Sequence, residues 1–405
     1  MKVIKVFISI ILLSYFYDLL LVISHVDKSY VYQLVIVFGL IVLLSIAKSL
    51  SRLSIVFILL NLIPFVLSCE KLGFLEGLAY FLTTGLLPVI FYEAIRRNFS
   101  QEAFDFVMYY ILFKYSLYIV LIPVEVRLNA KMNWAGLQFS GGQYNSIAIL
   151  ILTLIIMYVG RSLGLKIKGF FIYFAKVLFL ATVLLSFSRG GLVVGCIVLL
   201  AEIRRSNVKN IFKAFILFSG AYIMLQDAIT IDNSFTLKFW LQRLDIYNNV
   251  TGETNFSTSS IIDTYRSSSR DVFYEFFSGR NVIDIIFGSG IGTSTYIINE
   301  GSKGKFGFGS FHNLFLTIFM ERGLLFLTFF TGLFLSRISK MIRVIKEHRY
   351  RLFLYALALL LFATSTGFEL FVNSRDFNVD FIILLFTFIY LINYYVGNKN
   401  EFSRT

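Results

Sequence analysis

Phe311-His312-Asn313-Leu314-Phe315-Leu316 opens an apolar run over 311–336. A helix needs about 20 apolar residues to cross a bilayer core. The run therefore reads as a membrane span, with a histidine and an asparagine where an outer loop enters it. Eleven further runs of the same kind precede and follow it, at 3–24, 30–47, 52–68, 74–95, 104–126, 143–160, 170–187, 190–203, 211–229, 351–372 and 380–397. The expected fold is all-α, a polytopic membrane bundle of twelve transmembrane helices. The short span 190–203 suits a helix that begins below the surface, beside an aqueous cavity. No internal repeat is visible.

Composition agrees. Hydrophobic residues make up 57% of the 405-residue chain and charged residues only 15%. Phe and Tyr are abundant, and aromatic rings favour membrane interfaces. The net charge of +13 does not indicate nucleic acid, because the basic residues sit in short loops between spans. With the N-terminus inside, the inner segments hold 21 Lys and Arg and the short outer loops 5. This asymmetry predicts cytoplasmic termini. The first apolar segment is long and lacks a small-residue cleavage site, so it reads as a span and not as a signal peptide. Cys69 and Cys196 alone give no disulfide framework.

The expected organisation is spans 1–9 over 1–229, one large outer loop over 230–310, and spans 10–12 with a cytoplasmic C-terminus over 311–405. The loop carries Ser/Thr/Asn-rich and Gly-rich patches. Between them, Ile261, Ile262, Tyr265, Val272, Phe273, Phe276 and Phe277 recur at near-helical spacing, which predicts a helix lying at the membrane surface. A loop of this length is uncommon unless it is functional or disordered.

Candidate chemistry clusters on the outer side. Arg189 lies in Ser188-Arg189-Gly190-Gly191 at a helix end, where a snorkelling arginine is the plain alternative. Arg270 lies in the loop beside Asp271, a possible simple ion partner. His312 meets both water and membrane, and an imidazole suits proton transfer near neutral pH; an interfacial histidine at a helix start is its plain alternative. Gly288-Ser289-Gly290-Ile291-Gly292 reads as a tight turn, since no Lys-Ser/Thr follows to make a nucleotide loop. Asp18, Glu93, Lys114, Lys176, Glu321, Arg322 and Glu369 fall within spans, where charges face the bundle interior and pair. Of these, Glu369 stands closest to an outer site. No Asp-x-Asp and no His/Cys cluster with metal-ligand spacing occurs. No metal or other cofactor is therefore expected, and arginine forks would neutralise a phosphate leaving group.

The order of these pieces resembles the O-antigen polymerase and ligase superfamily of membrane enzymes (Wzy/WaaL-type). The resemblance rests on Asn145 in Gln143-Tyr144-Asn145-Ser146, then Ser188-Arg189-Gly190-Gly191, Arg270, Gly288–Gly292, His312-Asn313-Leu314-Phe315-Leu316 and Glu321-Arg322-Gly323. It covers residues from about 140 to 330. It implies a GT-C-like fold and metal-independent glycosyl transfer at the outer face, with an undecaprenyl-pyrophosphate-linked oligosaccharide as donor. By the same resemblance, Arg189 and Arg270 bind the pyrophosphate and His312 serves the acceptor, while Asn313, Asn145 and Glu369 are further candidates for binding substrate. Membrane lipid is an expected partner, a chain-length regulator protein a further one, and nucleic acid none. Glu-Arg-Gly departs from the usual pattern, in which an apolar residue separates Glu and Gly.

The implied activity is a polysaccharide (O-antigen or capsule) polymerase. A ligase moving glycan onto lipid A-core shares the motifs, and a flippase or transporter shares the span number. Against transport stand the long outer loop and the lack of paired interrupted spans. The topology has a direct test. In a chain with Cys69 and Cys196 replaced by alanine, Ser257→Cys is expected to react with an impermeant thiol reagent from outside, and Ser206→Cys is not. The opposite labelling pattern reverses the orientation.

Overall fold

The computed structural model describes residues 50–98, 100–128, 143–185, 189–202, 273–274, 277–294, 296–297, 314–346, 348–365 and 379–402. Every regular element among them is helical. In chain order these are α1 (Arg52–Leu72), α2 (Phe74–Tyr80), a π-helical stretch (Phe81–Leu86), α3 (Leu87–Asn98), α4 (Gln101–Leu128), α5 (Gln143–Ser162), α6 (Gly169–Leu185) and α7 (Arg189–Glu202). They are followed by α8 (Val282–Phe287), α9 (Leu314–Val344), α10 (Arg349–Ser365) and α11 (Val379–Phe402). Each expected span that falls on described residues is occupied by a helix; 3–24, 30–47 and 211–229 lie outside them.

Three helical stretches are long and apolar enough to cross a membrane: Arg52–Leu72, Phe74–Arg97 and Phe315–Arg343. The chain is accordingly a membrane protein. The π-helical stretch joins α2 and α3 into the second of these without a loop. α5 forms the centre: Ile147 to Val159 is buried on every side, and α6, α10 and α11 pack around it. A helix apolar all round belongs at such a position. α1 instead exposes Leu59, Ile63 and Val66, as a lipid-facing helix does.

Of the span charges expected to pair, Glu93, Lys114 and Lys176 have ionic partners, Glu321 and Arg322 hydrogen-bond neutral groups, and Asp18 and Glu369 lie outside the described residues. The Lys114 ammonium, 2% exposed, lies 2.8 Å from the Asp380 carboxylate, 1% exposed. The Tyr110 and Tyr115 hydroxyls donate to the same carboxylate at 3.2 and 3.5 Å. Asp380 stands in the first turn of α11, where the helix dipole favours an acid. Lys114 is near the middle of α4, so the pair joins α11 to α4 at that level.

Glu202 collects a second cluster. Lys176 donates to it at 2.6 Å, and the Tyr158 and Tyr355 hydroxyls donate at 2.9 and 2.6 Å. Arg351 lies 3.5 Å away. This cluster ties α5, α6, α7 and α10 together at the end predicted to be cytoplasmic. At the same end Glu93 accepts from the Ser51 amide at 2.7 Å and the Ser54 hydroxyl at 2.6 Å. Arg96 donates to its other oxygen at 2.8 Å. Ser51 caps α1, its side chain accepting from the Ser54 amide at 3.1 Å.

Removing one member of a buried pair strands the other, at a cost of about 3–5 kcal/mol. Lys114→Met and Asp380→Leu are each expected to lose that much, and the double variant much less than the sum. Unfolding in mixed micelles measures all three. Additive losses would mean that the two groups do not act as a pair.

Candidate functional site

The site is built around a break in α9. At Gly323 the backbone turns to φ 74°, ψ 178°, so the helix is two helices meeting at a kink. A helix end leaves carbonyls without intrahelical donors, and at membrane depth each unsatisfied group costs several kcal/mol. Here the donors come from the Gly-rich segment. The Ser289 amide donates to the Met320 carbonyl at 2.7 Å and the Gly290 amide to the Glu321 carbonyl at 3.1 Å. Expected as a tight turn in the outer loop, Gly288–Gly292 does turn at Ile291–Gly292. It is also buried throughout, wedged between α1, α9 and the π-helical stretch. Irregular backbone survives at such depth only when enclosed by protein or lining a cavity.

The fit requires glycine at both contact points. A Cβ on Gly288 would collide with the Glu321–Arg322 backbone, and one on Gly323 with the Ile286 carbonyl and the Gly288 amide. Both residues also hold positive φ, of 82° and 74°, which other residues adopt only under strain. On the α1 side, the Ser68 hydroxyl bonds the carbonyls of Pro64, at 2.8 Å, and Ile291, at 2.9 Å. The Ile291 amide reaches the Pro64 carbonyl at 3.4 Å.

The two charges before the break point into this packing. Glu321, fully buried, accepts from the Ser294 hydroxyl at 2.6 Å and the Ser294 amide at 3.3 Å. Its other oxygen has no hydrogen-bond partner among the described residues. Arg322, 1% exposed, donates to the Asn61 side chain in α1 and, at 3.2 Å, to the Thr84 carbonyl. Thr84 belongs to the π-helical stretch, and such widened turns free carbonyls for other donors. The guanidinium also lies 4.8 Å from the centre of the Phe326 ring. Glu321 and Arg322 thus act as anchors: one holds the Gly-rich segment, the other holds α1 and the α2–α3 span.

Phe273 and Phe277, predicted to share a surface helix, fall on helical residues. Their rings stack 6.1 Å apart, and both lie against Phe319 of α9, at 5.9 and 5.7 Å. The remainder of that expected helix, 261–272 and 275–276, is outside the described residues.

Of the sequence-derived site residues, Arg189 is the first residue of α7 and Asn145 lies in the first turn of α5. Arg270, His312, Asn313 and Glu369 lie outside the described residues, although α9 begins two positions after His312. Asn61, Thr84 and Ser294 escaped the sequence reading. Asn61 alone left a signal, as an amide in the middle of an apolar span.

Comparison with protein-family models, with curated proteins and with solved structures finds no match for this chain.

The break has a mutational test. Gly288→Ala and Gly323→Ala are expected to lower the melting temperature sharply, through collision plus strain of order 1–3 kcal/mol each. Gly332→Ala, at a helical position with open space around it, is expected to be neutral or stabilising by about 1 kcal/mol. A detergent melting series compares the three. Equal behaviour would mean that the Gly-rich segment does not seat on α9.

Proposed function

We propose that the protein is a polysaccharide polymerase of the cytoplasmic membrane, acting at the outer face on glycans carried by a lipid pyrophosphate. The observation that carries this reading is the seating of Gly288–Gly292 on Glu321–Gly323. Two separate motifs of the resemblance meet there, thirty residues apart in sequence. They tie the end of the long connecting segment to the helix that follows His312-Asn313. An ordinary soluble loop would not need this join, whereas a loop that must hold substrate against a membrane helix does.

In the proposed reaction the acceptor hydroxyl oxygen attacks the anomeric carbon of the lipid-linked donor. The bond from that carbon to the pyrophosphate oxygen breaks, and its electron pair leaves on the pyrophosphate. His312 takes the hydroxyl proton, and Arg189 and Arg270 neutralise the departing charge. The leaving group is already activated, so the scheme calls for no nucleotide and no metal.

Membranes supplied with lipid-linked repeat units test the scheme. His312→Ala is expected to cut chain extension about 100- to 10,000-fold, the usual worth of general-base help, and to leave single-repeat glycan. His25→Ala is expected to leave chain length unchanged. Arg189→Lys and Arg270→Lys should each lose most activity at normal membrane levels, because lysine does not reproduce a bidentate fork. Wild-type chain length in His312→Ala, or abolition of activity by EDTA with recovery on adding magnesium, would refute the mechanism. Loss of all transferred glycan on deletion, single repeats included, would reassign the protein as a ligase.

A further inference from the structure

A partly open recess lies between α1, α3, α9 and α11. Phe57, Val89, Leu333 and Phe386 are among the side chains that line it, and its lining is apolar except for Ser54 and Tyr92. Those two mark its polar end. The Ser54 hydroxyl donates to Glu93 at 2.6 Å, so the recess meets the Glu93 cluster there. Glu93 is already answered by Arg96 at 2.8 Å and approached by Arg97 at 3.8 Å. Arg337 adds a third cation. Phe330, Leu333 and Arg337 share one face of α9, the first two of them lining the recess. A helical side chain reaches back over the turn that precedes it, which for Arg337 is the turn of Leu333. Its Nε is buried and has no hydrogen-bond partner among the described residues. Tyr92, in the lining, is the titratable group that acts on it, and no carboxylate among the described residues does.

An apolar recess in a membrane protein is filled from hydrocarbon, not from water. The lining side chains of α1, α3 and α11 are largely buried, Phe57 at 8%, Val89 at 2% and Leu385 at 3%. A neighbouring helix, about 10–12 Å across, does not enter so shallow a gap, whereas a single hydrocarbon chain does. At the polar end, three arginines stand around one carboxylate, so the charge left over is positive. An arginine with an unused N–H suits a phosphate oxygen. This is the end predicted to be cytoplasmic, and the cytoplasmic leaflet is the one that carries anionic lipid. The lipid-linked donor of the proposed reaction acts at the opposite face, which leaves an ordinary anionic lipid as the occupant.

We propose that this recess holds one hydrocarbon chain of an anionic phospholipid of the inner leaflet, with the lipid phosphate on Arg337. The site is separate from the proposed glycan chemistry. A lipid seated here joins the part of α9 that follows the break at Gly323 to α1, α3 and α11.

The test is native mass spectrometry of the full-length protein from neutral detergent. The probes are phosphatidylglycerol, phosphatidylethanolamine with the same chains, a polyprenyl phosphate, and glycerol phosphate, which has the headgroup charge without a chain. The wild type is expected to bind phosphatidylglycerol about tenfold more tightly than phosphatidylethanolamine, the worth of one charge-assisted contact, and glycerol phosphate far more weakly than either. Arg337→Gln is expected to lose the preference for phosphatidylglycerol while melting like the wild type in lipid-free detergent. Leu333→Trp fills the recess and is expected to weaken both phospholipids about tenfold, with Leu333→Phe as the substitute should tryptophan prevent folding. Equal binding of the two phospholipids by the wild type, or an unchanged preference in Arg337→Gln, overturns the phosphate site. Unchanged affinities in the filled variant overturn the seat for the chain. Polyprenyl phosphate binding through Arg337 more tightly than phosphatidylglycerol overturns the choice of occupant. Melting of Arg337→Gln far below the wild type without lipid also overturns the site, by reducing Arg337 to a structural role.

Discussion

A backbone that leaves the helix within a bilayer must find hydrogen bonds from the protein, because lipid offers none. α9 breaks this way at Gly323, and Gly288–Gly292, α1 and the π-helical stretch are arranged around the repair. The carbonyls of Met320 and Glu321 receive the amides of Ser289 and Gly290. That repair draws Gly288–Gly292 inward, and the segment in turn meets α1 through Ser68 and Pro64. Arg322 then joins the same α9 residues to Asn61 and Thr84. A single left-handed glycine thus binds three elements far apart in sequence. The constraint is also sharp, since Gly288 and Gly323 leave no room for a Cβ at either side of the contact.

The buried charges serve a different purpose. An ion pair in a low-dielectric interior recovers its desolvation cost only with good geometry and supporting hydrogen bonds. Lys114–Asp380 has two tyrosines, and Glu202 has two tyrosines with Lys176 and Arg351. Nearly identical apolar helices can slide past one another without much loss of packing. A carboxylate that must meet one ammonium at one depth prevents that slippage. These pairs therefore set helix register, joining α7 to α6 and α10 through Glu202 and α11 to the middle of α4 through Asp380.

Much of the helical layout was legible because span length and apolarity are imposed by the solvent, and Lys114, Lys176, Glu321 and Arg322 were visible as charges that had to pair. Their partners were less so. Asp380 stands at the edge of its apolar run and Glu202 at the end of another, where either could pass for a residue in water. Gly288–Gly292 illustrates the limit. Its residues announce a turn, and a turn it contains, but burial depends on a glycine at 323 and a proline-containing helix at 64. No local pattern links the three. Thr84 contributes only its carbonyl, which any residue at a widened turn could supply, so its side-chain identity gave nothing away. For Arg270, His312, Asn313 and Glu369 the sequence remains the sole source.

Helix length adds a vertical dimension to the proposed chemistry. α7 has 14 residues, a rise of about 20 Å, against a hydrocarbon core of about 30 Å. Its last residue, Glu202, is held by Lys176, Tyr158, Tyr355 and Arg351, so in the proposed topology Arg189 begins below the outer surface, where a cation needs water or an anion to be tolerated.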